Sequence, residues 1–245
     1  LEMLLGPSLP PAGAMIALIG ASALPLSNYL ANHLVSLGRR GLLYPLAVVF
    51  LAGTIVPALA LRWLTRNGAI RDNLPINGGD AALLGISLVV GFCLIALALR
   101  GQLRQELWHS LRLFAALFAV SLAEVLVFLS ILFNLAEEVA GSLLQPPWAS
   151  VAAAIVSSAL FGLYHFTHSP PWNTWALAAR LFIVWLFVCL AYVLTRDAWA
   201  ATIIDTSFAT IGFVRNRVTT LDAMPTMTAL ALDALGIIVV VAIIR

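Results

Sequence analysis

The chain has 245 residues, of which 62% are hydrophobic and only 10% are charged, and its mean hydropathy is +1.02. A soluble domain carries about 25% charged residues, so this composition excludes a soluble globular protein and indicates a protein surrounded by lipid. The formal net charge is only +2, which gives no basic surface of the kind that nucleic-acid-binding proteins use. We therefore expect membrane lipids, and no nucleic acid, around this chain.

The apolar runs are long, which predicts membrane-spanning helices. A helix needs about 20 apolar residues to cross a bilayer, whereas the strands of a membrane barrel show short alternating segments. The chain has no internal repeat and no long linker, so one domain over residues 1–245 is predicted, an all-α polytopic bundle of about eight helices. The eight candidate spans are residues 14–37, 42–64, 81–99, 108–133, 148–166, 174–194, 198–214 and 227–244.

The residues that flank these runs support the assignment. Tryptophan settles at the membrane interface, and five tryptophans lie near predicted span ends: Trp108, Trp148, Trp172, Trp175 and Trp199. The loops after the first, third and seventh spans carry slightly more arginine than the others, which favours an N-terminus outside the cytoplasm. Cys93 and Cys189 lie within apolar runs and are predicted to be small buried hydrophobic residues.

Ionisable side chains inside the apolar runs are the candidates for function. Five lie inside or at the ends of spans: Glu124, His165, Arg180, Asp205 and Asp233. A charge at mid-membrane costs at least about 2.5–3.5 kcal/mol, so such residues usually face the bundle interior and pair with another group. Glu124, His165 and Asp205 come from three different spans. We expect that they could converge between helices.

A converged trio would have several uses. A carboxylate shielded from water can act as a general base, an imidazole can position water or stabilise an oxyanion, and two carboxylates with a histidine could bind a metal ion. The structural alternative is that Glu124 only pairs with Arg180 or His165 across helices, at roughly 0.6 kcal/mol per pair. The sequence leaves open whether a metal or another cofactor is bound.

The other ionisable residues are interpreted as interfacial, structural or solvated: His168, Arg180, Asp233, Glu137 and Glu138.

Two segments resemble motifs of the CPBP family, the CAAX-protease and bacteriocin-processing membrane proteins. The segment IVSSALFGLYH (155–165) is similar to the family's second motif, Phe-x-x-x-His, with Phe161 and His165 on one face of a helix. The segment YVLTRDAWAATIID (192–205) resembles the region that leads into the third motif, His-x-x-x-Asn. The resemblance extends over about residues 120–213.

The first family motif, Glu-Glu-x-x-x-Arg, can be aligned in two ways. The pair Glu137-Glu138 is literally present but lies outside the apolar run. The segment EVLVFLSIL (124–132) fits better, because Phe128 then falls on the motif's Phe and Leu132 on its Leu. In this register the resemblance implies that Glu124 corresponds to the family's first catalytic glutamate.

The resemblance also implies a degenerate catalytic set. Val125 stands at the second Glu of the first motif, Leu129 at its Arg, Asp205 at the His of the third motif and Ala209 at its Asn. In active members the Glu and His residues are thought to activate water for peptide cleavage inside the membrane. Of that polar set Glu124 and His165 remain, and Asp205 is the third site candidate, where two neighbouring carboxyl groups could share a proton or bind a cation.

Three functions follow from these residues. The favoured one is a non-proteolytic accessory or scaffold subunit of a membrane assembly, with an eroded active site. Its expected partners are other membrane protein subunits, and its expected location is the bacterial cytoplasmic membrane. The alternative is an active CAAX-protease-like intramembrane endopeptidase that uses Glu124 and His165 to activate water. A proton relay through Glu124, Asp205 and Asp233 ranks last, because the chain lacks the paired half-helix breaks of alternating-access transporters.

Overall fold

The computed structural model describes residues 11–33, 44–70, 80–99, 103–170, 172–215 and 226–244, which form helices and connecting turns with no strand among them. Helix α1 is Pro11–His33, α2 is a π-helix over Tyr44–Ile55 continued by an α-helix over Val56–Arg66, and α3 is Asp80–Ala98. Helix α4 is α-helical over Leu103–Val125, π-helical over Leu126–Phe133 and α-helical again over Asn134–Gly141. Helix α5 is Trp148–Tyr164, followed by a 3₁₀ turn at His165–Thr167, and the last three are α6 (Trp175–Thr195), α7 (Ala198–Arg215) and α8 (Thr226–Ile244).

Each predicted span contains one of these helices, so the all-α membrane fold is confirmed. Within the described residues, five stretches have the length and composition to cross a membrane: Ala12–Asn32, Leu46–Arg66, Leu107–Gly141, Trp148–Thr167 and Trp175–Thr195. Two shorter apolar helices accompany them, Ala82–Ala98 and Asp233–Ile244. Helix α7 is largely buried by its neighbours α3, α4 and α6.

Helix α4 is the central element, because it contacts α2, α5, α7 and α8 and its π-helical part also contacts α1. The fourth span was predicted to end at Phe133, but the helix continues to Gly141. The amide of Asn134 explains the continuation. Its Nδ2 donates to the carbonyl oxygens of Leu129 at 3.1 Å and Ser130 at 3.0 Å, and so satisfies acceptors at the end of the π-helix. Single π-helical turns inside α-helices are frequent at functional sites.

Two glycines let the helices around α7 and α5 approach closely. A methyl group added at Gly91 of α3 would lie 2.4 Å from the Ser207 hydroxyl oxygen of α7. One added at Gly162 of α5 would lie 2.7 Å from the Ala178 carbonyl oxygen of α6. Small residues at such crossings are typical of helix packing in membranes.

The flanking residues agree only in part with the sequence-based expectations. Trp108, Trp148 and Trp175 are exposed near helix starts, as predicted for interfacial side chains. Trp199 is instead buried, because the start of α7 lies inside the bundle. Asp197 caps this end of α7 by accepting hydrogen bonds from the backbone N–H groups of Trp199 and Ala200. Cys189 is buried as predicted. The prediction is wrong for Cys93, which lies on the outer side of α3 and is exposed.

Candidate functional site

Glu124 and Asp205 are neighbours in the bundle interior. Glu124 lies just before the π-helix of α4 and is 8% exposed, and Asp205 lies within α7 and is 4% exposed. The two carboxyl groups interact electrostatically across the α4–α7 contact. The structure therefore brings together two of the three residues that the sequence singled out.

Few hydrogen-bond donors surround this pair. The Ser121 side chain, one helical turn before Glu124, lies beside the Asp205 carboxyl group. The Oδ2 atom of Asp205 has no hydrogen-bond partner among the described residues. The nearby hydroxyls of α7 are occupied, since each donates to the carbonyl oxygen four residues earlier: Thr202, Thr206, Ser207 and Thr210. Two adjacent carboxyl groups with so few donors repel each other when both are ionised, and a shared proton removes that repulsion.

His165 has partners of its own. It begins the 3₁₀ turn that follows α5, and its Nδ1 donates to the Phe161 carbonyl oxygen at 2.9 Å. Its ring contacts those of Phe161, Tyr164 and His168 at centroid distances of 4.8, 5.1 and 5.2 Å. Within the described part of the chain, His165 makes no hydrogen bond or ion pair with Glu124 or Asp205. Of the predicted trio, Glu124 and Asp205 therefore interact with each other, whereas the direct contacts of His165 are with other residues.

An aromatic cluster fills the interior next to both groups. Phe128, one turn after Glu124, contacts Phe161 at 5.4 Å and Tyr164 at 5.3 Å between ring centroids. Phe161 stacks on Trp185 at 3.8 Å. Ser157 fixes this arrangement, because its hydroxyl donates to the Phe128 carbonyl oxygen at 2.7 Å and accepts from the Trp185 indole at 3.0 Å. The rings occupy the volume between α4, α5 and α6.

The departures from the family motif lie within packed apolar surroundings. Val125 and Leu129 are fully buried in the main hydrophobic core. Ala209 packs against a second apolar cluster formed by residues such as Ile95 and Leu113. A glutamate or arginine at position 125 or 129 would be buried without a partner, which is costly. The present residues therefore fit the interior that surrounds them.

One expectation about the other charged residues is wrong, and one alternative finds no support. Arg180 is exposed on α6, which agrees with its interpretation as an interfacial residue, and it makes no ion pair with Glu124. Glu137 was interpreted as solvated, but its carboxylate is paired with Arg196 at 2.6 and 2.8 Å and also accepts from Ser150. Glu138 is exposed, as predicted.

Arg196 joins the α6–α7 turn to the end of α4. It adopts a left-handed backbone conformation with a φ of 52° at the end of α6, and its guanidinium lies 6.0 Å from the ring centroids of Phe133 and Tyr192. Its hydrogen bond to Glu137 raises the pKa of Arg196. This pair explains why α4 extends so far, because Arg196 neutralises an acid that follows the apolar run.

Asp233 lies outside the carboxyl pair. It is half-buried on α8, at the backbone of Ala119 in α4, and its Oδ1 has no partner among the described residues. No interaction connects it with Glu124 or Asp205 in the described part of the chain. The contacts of Asp233 therefore do not add support for the relay hypothesis.

Sequence reasoning overlooked the polar residues of α1. Asn28 is fully buried within an apolar span, and its Nδ2 donates to the Thr167 hydroxyl at 2.8 Å. Asn32, one turn later, accepts a hydrogen bond from Ser169 at 3.4 Å and donates to Asn28. An amide inside a membrane span is costly unless it is paired, and that signal could have identified the contact between α1 and the turn after α5.

An apolar groove of about 400 Å³ lies between the end of α4 and α5. Its lining residues carry no polar side-chain group: Leu132, Leu135, Ala136, Val139, Ala140, Ala152, Val156 and Leu160.

Among the described residues, no group of three or more His, Cys, Asp or Glu side chains is placed to hold a metal ion.

Part of the chain matches a known protein family. Residues 106–211 match the family described as type II CAAX prenyl endopeptidase Rce1-like. The match covers less than half of the chain and confirms the resemblance to the CPBP proteins over these residues. The matched region includes Glu124, His165 and Asp205. No curated protein and no solved structure matches the chain.

Proposed function

We propose that this protein is a non-proteolytic relative of the CAAX endopeptidases and serves as an accessory or scaffold subunit of a membrane assembly. The observation that carries the proposal is the pairing of Glu124 with Asp205, a second carboxyl group at the position of the family's histidine. The proposal places the protein in the bacterial cytoplasmic membrane, as the family resemblance implies.

The chemistry of water activation supports the proposal. A general base and its positioning partner must both lie within hydrogen-bonding reach of one water molecule. An ionised carboxylate only accepts hydrogen bonds, whereas an imidazole can donate one. Asp205 therefore replaces a possible donor with an acceptor beside Glu124, while His165 is engaged with the Phe161 carbonyl oxygen.

The outer surface supports a role in assembly. Helix α3 exposes the large apolar residues Ile86, Val89, Val90 and Phe92. In a membrane such a face contacts lipid or another transmembrane helix. We propose membrane lipids and other membrane protein subunits as the partners, with the subunits bound through these lipid-facing surfaces.

A cleavage assay tests the proposal. The purified chain would be reconstituted in liposomes with a prenylated CAAX peptide, beside the Glu124→Gln variant and a variant with the family motif restored by Val125→Glu, Leu129→Arg, Asp205→His and Ala209→Asn. We expect the unmodified chain and Glu124→Gln to release product at the same background rate. Cleavage by the unmodified chain that Glu124→Gln abolishes would contradict the proposal, and cleavage by the restored variant alone would show that the motif changes caused the loss.

An active endopeptidase is the second candidate, and one observation favours it. The chain keeps Glu124 in the membrane interior, where a carboxyl group is costly to bury, inside the region that matches the endopeptidase family. In this case Glu124 would act as the base, with His165 and Asp205 positioning the water. The same assay separates the two functions, because this one requires product release that depends on Glu124.

A further inference from the structure

Contacts between helix ends show which ends lie on the same side of the bundle. Arg215, the last residue of α7, donates through Nη2 to the carbonyl oxygen of Ala98, the last residue of α3, at 2.9 Å. Trp172, in the turn that precedes α6, stacks on Phe213 of α7 with 5.1 Å between the ring centroids. The ends of α3 and α7 and the start of α6 therefore lie together.

Three arginines lie on this side of the bundle. Arg215 ends α7, and Arg112 and Arg180 each lie five residues after the start of a membrane span. Arg112 belongs with the other two, because the adjacent Leu113 of α4 packs in the same apolar cluster as Val214 of α7. Arg180 and Arg215 are exposed, and Arg112 is half-buried. We call these three arginines the basic end of the bundle.

The two sides of the bundle differ in charge. Within the described residues, none of the three arginines of the basic end forms an ion pair with a carboxylate. The opposite side, where α2, α4 and α6 end, is balanced instead, since its described side chains include three arginines and three acids: Arg62, Arg66, Arg196, Glu137, Glu138 and Asp197. The positive charge of the described side chains is therefore concentrated at the basic end.

The side chains of the basic end suit a phosphate group. A guanidinium has five N–H donors in a planar fork that matches phosphate oxygens, and Arg215 uses only Nη2, for a backbone carbonyl oxygen, among the described residues. Arg112 and Arg180 lie close enough to the starts of their spans for their long side chains to reach the membrane surface. Trp108 and Trp175, at the starts of the same two spans, are 70% and 74% exposed, and exposed tryptophans mark the depth of the lipid headgroups. This arrangement places guanidinium groups at the level that phospholipid phosphates occupy.

We propose that the basic end, formed by Arg112, Arg180 and Arg215, binds the headgroups of anionic phospholipids in the cytoplasmic leaflet. Charge complementarity carries the proposal, because the described part of the chain supplies no carboxylate that pairs with these arginines. The cytoplasmic leaflet contains anionic lipids, and basic sites between membrane helices on that side bind their headgroups. In this orientation the N-terminal end of α1 lies outside the cytoplasm, as the arginine content of the loops favours. The binding does not depend on the proposed scaffold function.

Lipid titration of the purified full chain tests this proposal. Native mass spectrometry in a neutral detergent would count bound lipids as phosphatidylglycerol or phosphatidylcholine is added. We expect the unmodified chain to bind phosphatidylglycerol more tightly than phosphatidylcholine. We expect Arg112→Gln, Arg180→Gln and Arg215→Gln each to weaken phosphatidylglycerol binding by about fivefold, the effect of one arginine near an anionic surface. Arg66→Gln is the matched control, since Arg66 is an exposed arginine in the last turn of a helix on the opposite side, and we expect it to leave binding unchanged.

A second measurement uses the unmodified chain and so does not depend on how the variants fold. Phosphatidylglycerol that carries a photoreactive group on its headgroup would be added to phosphatidylcholine nanodiscs that contain the chain, and the crosslinked peptides would be identified by mass spectrometry. We expect crosslinks near Arg112, Arg180 and Arg215.

Three results would overturn the proposal. The first is crosslinking mainly near Arg66 and Arg196, on the opposite side of the bundle. The second is equal affinity of the unmodified chain for phosphatidylglycerol and phosphatidylcholine. The third is an equal change in phosphatidylglycerol binding, or none, in folded Arg66→Gln and Arg215→Gln. All of these readouts are independent of the peptide-cleavage assay.

Discussion

Two glutamates on α4 have opposite surroundings. Glu137 lies near the end of the helix and is held by two hydrogen bonds from the Arg196 guanidinium and one from Ser150. Glu124, in the same helix and deeper in the bundle, has another carboxyl group, Asp205, as its electrostatic neighbour. One acid is therefore neutralised by a cation, and the other can be neutralised only by a proton or an added ion.

The difference separates structural from functional use of a buried acid. An ion pair such as Glu137–Arg196 has a sufficient explanation in stability, because it connects α4 to the α6–α7 turn. Two neighbouring carboxyl groups have no such explanation, because burying both costs desolvation free energy and no attraction between them offsets that cost. Together with the family match over residues 106–211, this makes Glu124 and Asp205 the residues on which the proposed loss of proteolysis depends.

The largest effect is expected at the ion pair. Replacing Arg196 with Met leaves the Glu137 carboxylate, whose side chain is only 17% exposed, without its cation. Because Arg196 itself is 40% exposed, solvent screening reduces the loss, and we expect the free energy of unfolding to fall by about 1–2 kcal/mol. Equilibrium unfolding in mixed micelles with increasing SDS would measure it. Arg180→Met, which removes an exposed arginine on α6, is the matched control, and an equal loss in both variants would contradict the assigned role of Arg196.

A smaller effect of opposite sign is expected at the carboxyl pair. Asp205→Asn keeps the size of the side chain, removes one of the two acids and supplies an N–H donor toward Glu124. We expect it to raise the free energy of unfolding by about 0.5–1 kcal/mol, the net contribution of one hydrogen bond. The same micelle titration would measure this change in the free energy of unfolding. Asp197→Asn, at the cap of α7, is the comparison variant and is expected to lose stability. Destabilisation by Asp205→Asn would show that the Asp205 carboxylate has a favourable partner.

Much of the fold could be predicted from the sequence, because lipid imposes a simple requirement on length and hydropathy. That requirement located the eight helices of the described residues but misjudged the end of α4. The amide of Asn134 and the guanidinium of Arg196, which is 59 residues from Glu137, make a polar segment compatible with the helix. Such a pairing depends on tertiary packing, and hydropathy carries no information about it.

The site was predictable to a lesser degree. The cost of burial correctly indicated that Glu124 and Asp205 face the interior, where they meet. The contacts that His165 makes depend on how Phe128, Phe161 and Tyr164 fill the space between α4 and α5, and spacing along the chain does not predict that packing. The sequence also treated His168 as merely interfacial, although its spacing from His165 is the feature that a 3₁₀ turn converts into two adjacent rings.

The central claim is that Glu124 interacts with Asp205 and not with His165, and two double-mutant cycles on the free energy of unfolding test it most directly. One cycle combines Glu124→Gln with Asp205→Asn, and the other combines Glu124→Gln with His165→Gln. We expect a coupling energy of about 0.5–3 kcal/mol in the first cycle, as for residues in contact, and less than about 0.5 kcal/mol in the second. Strong coupling between Glu124 and His165, with none between Glu124 and Asp205, would contradict this account and restore the pair of groups that an active endopeptidase requires.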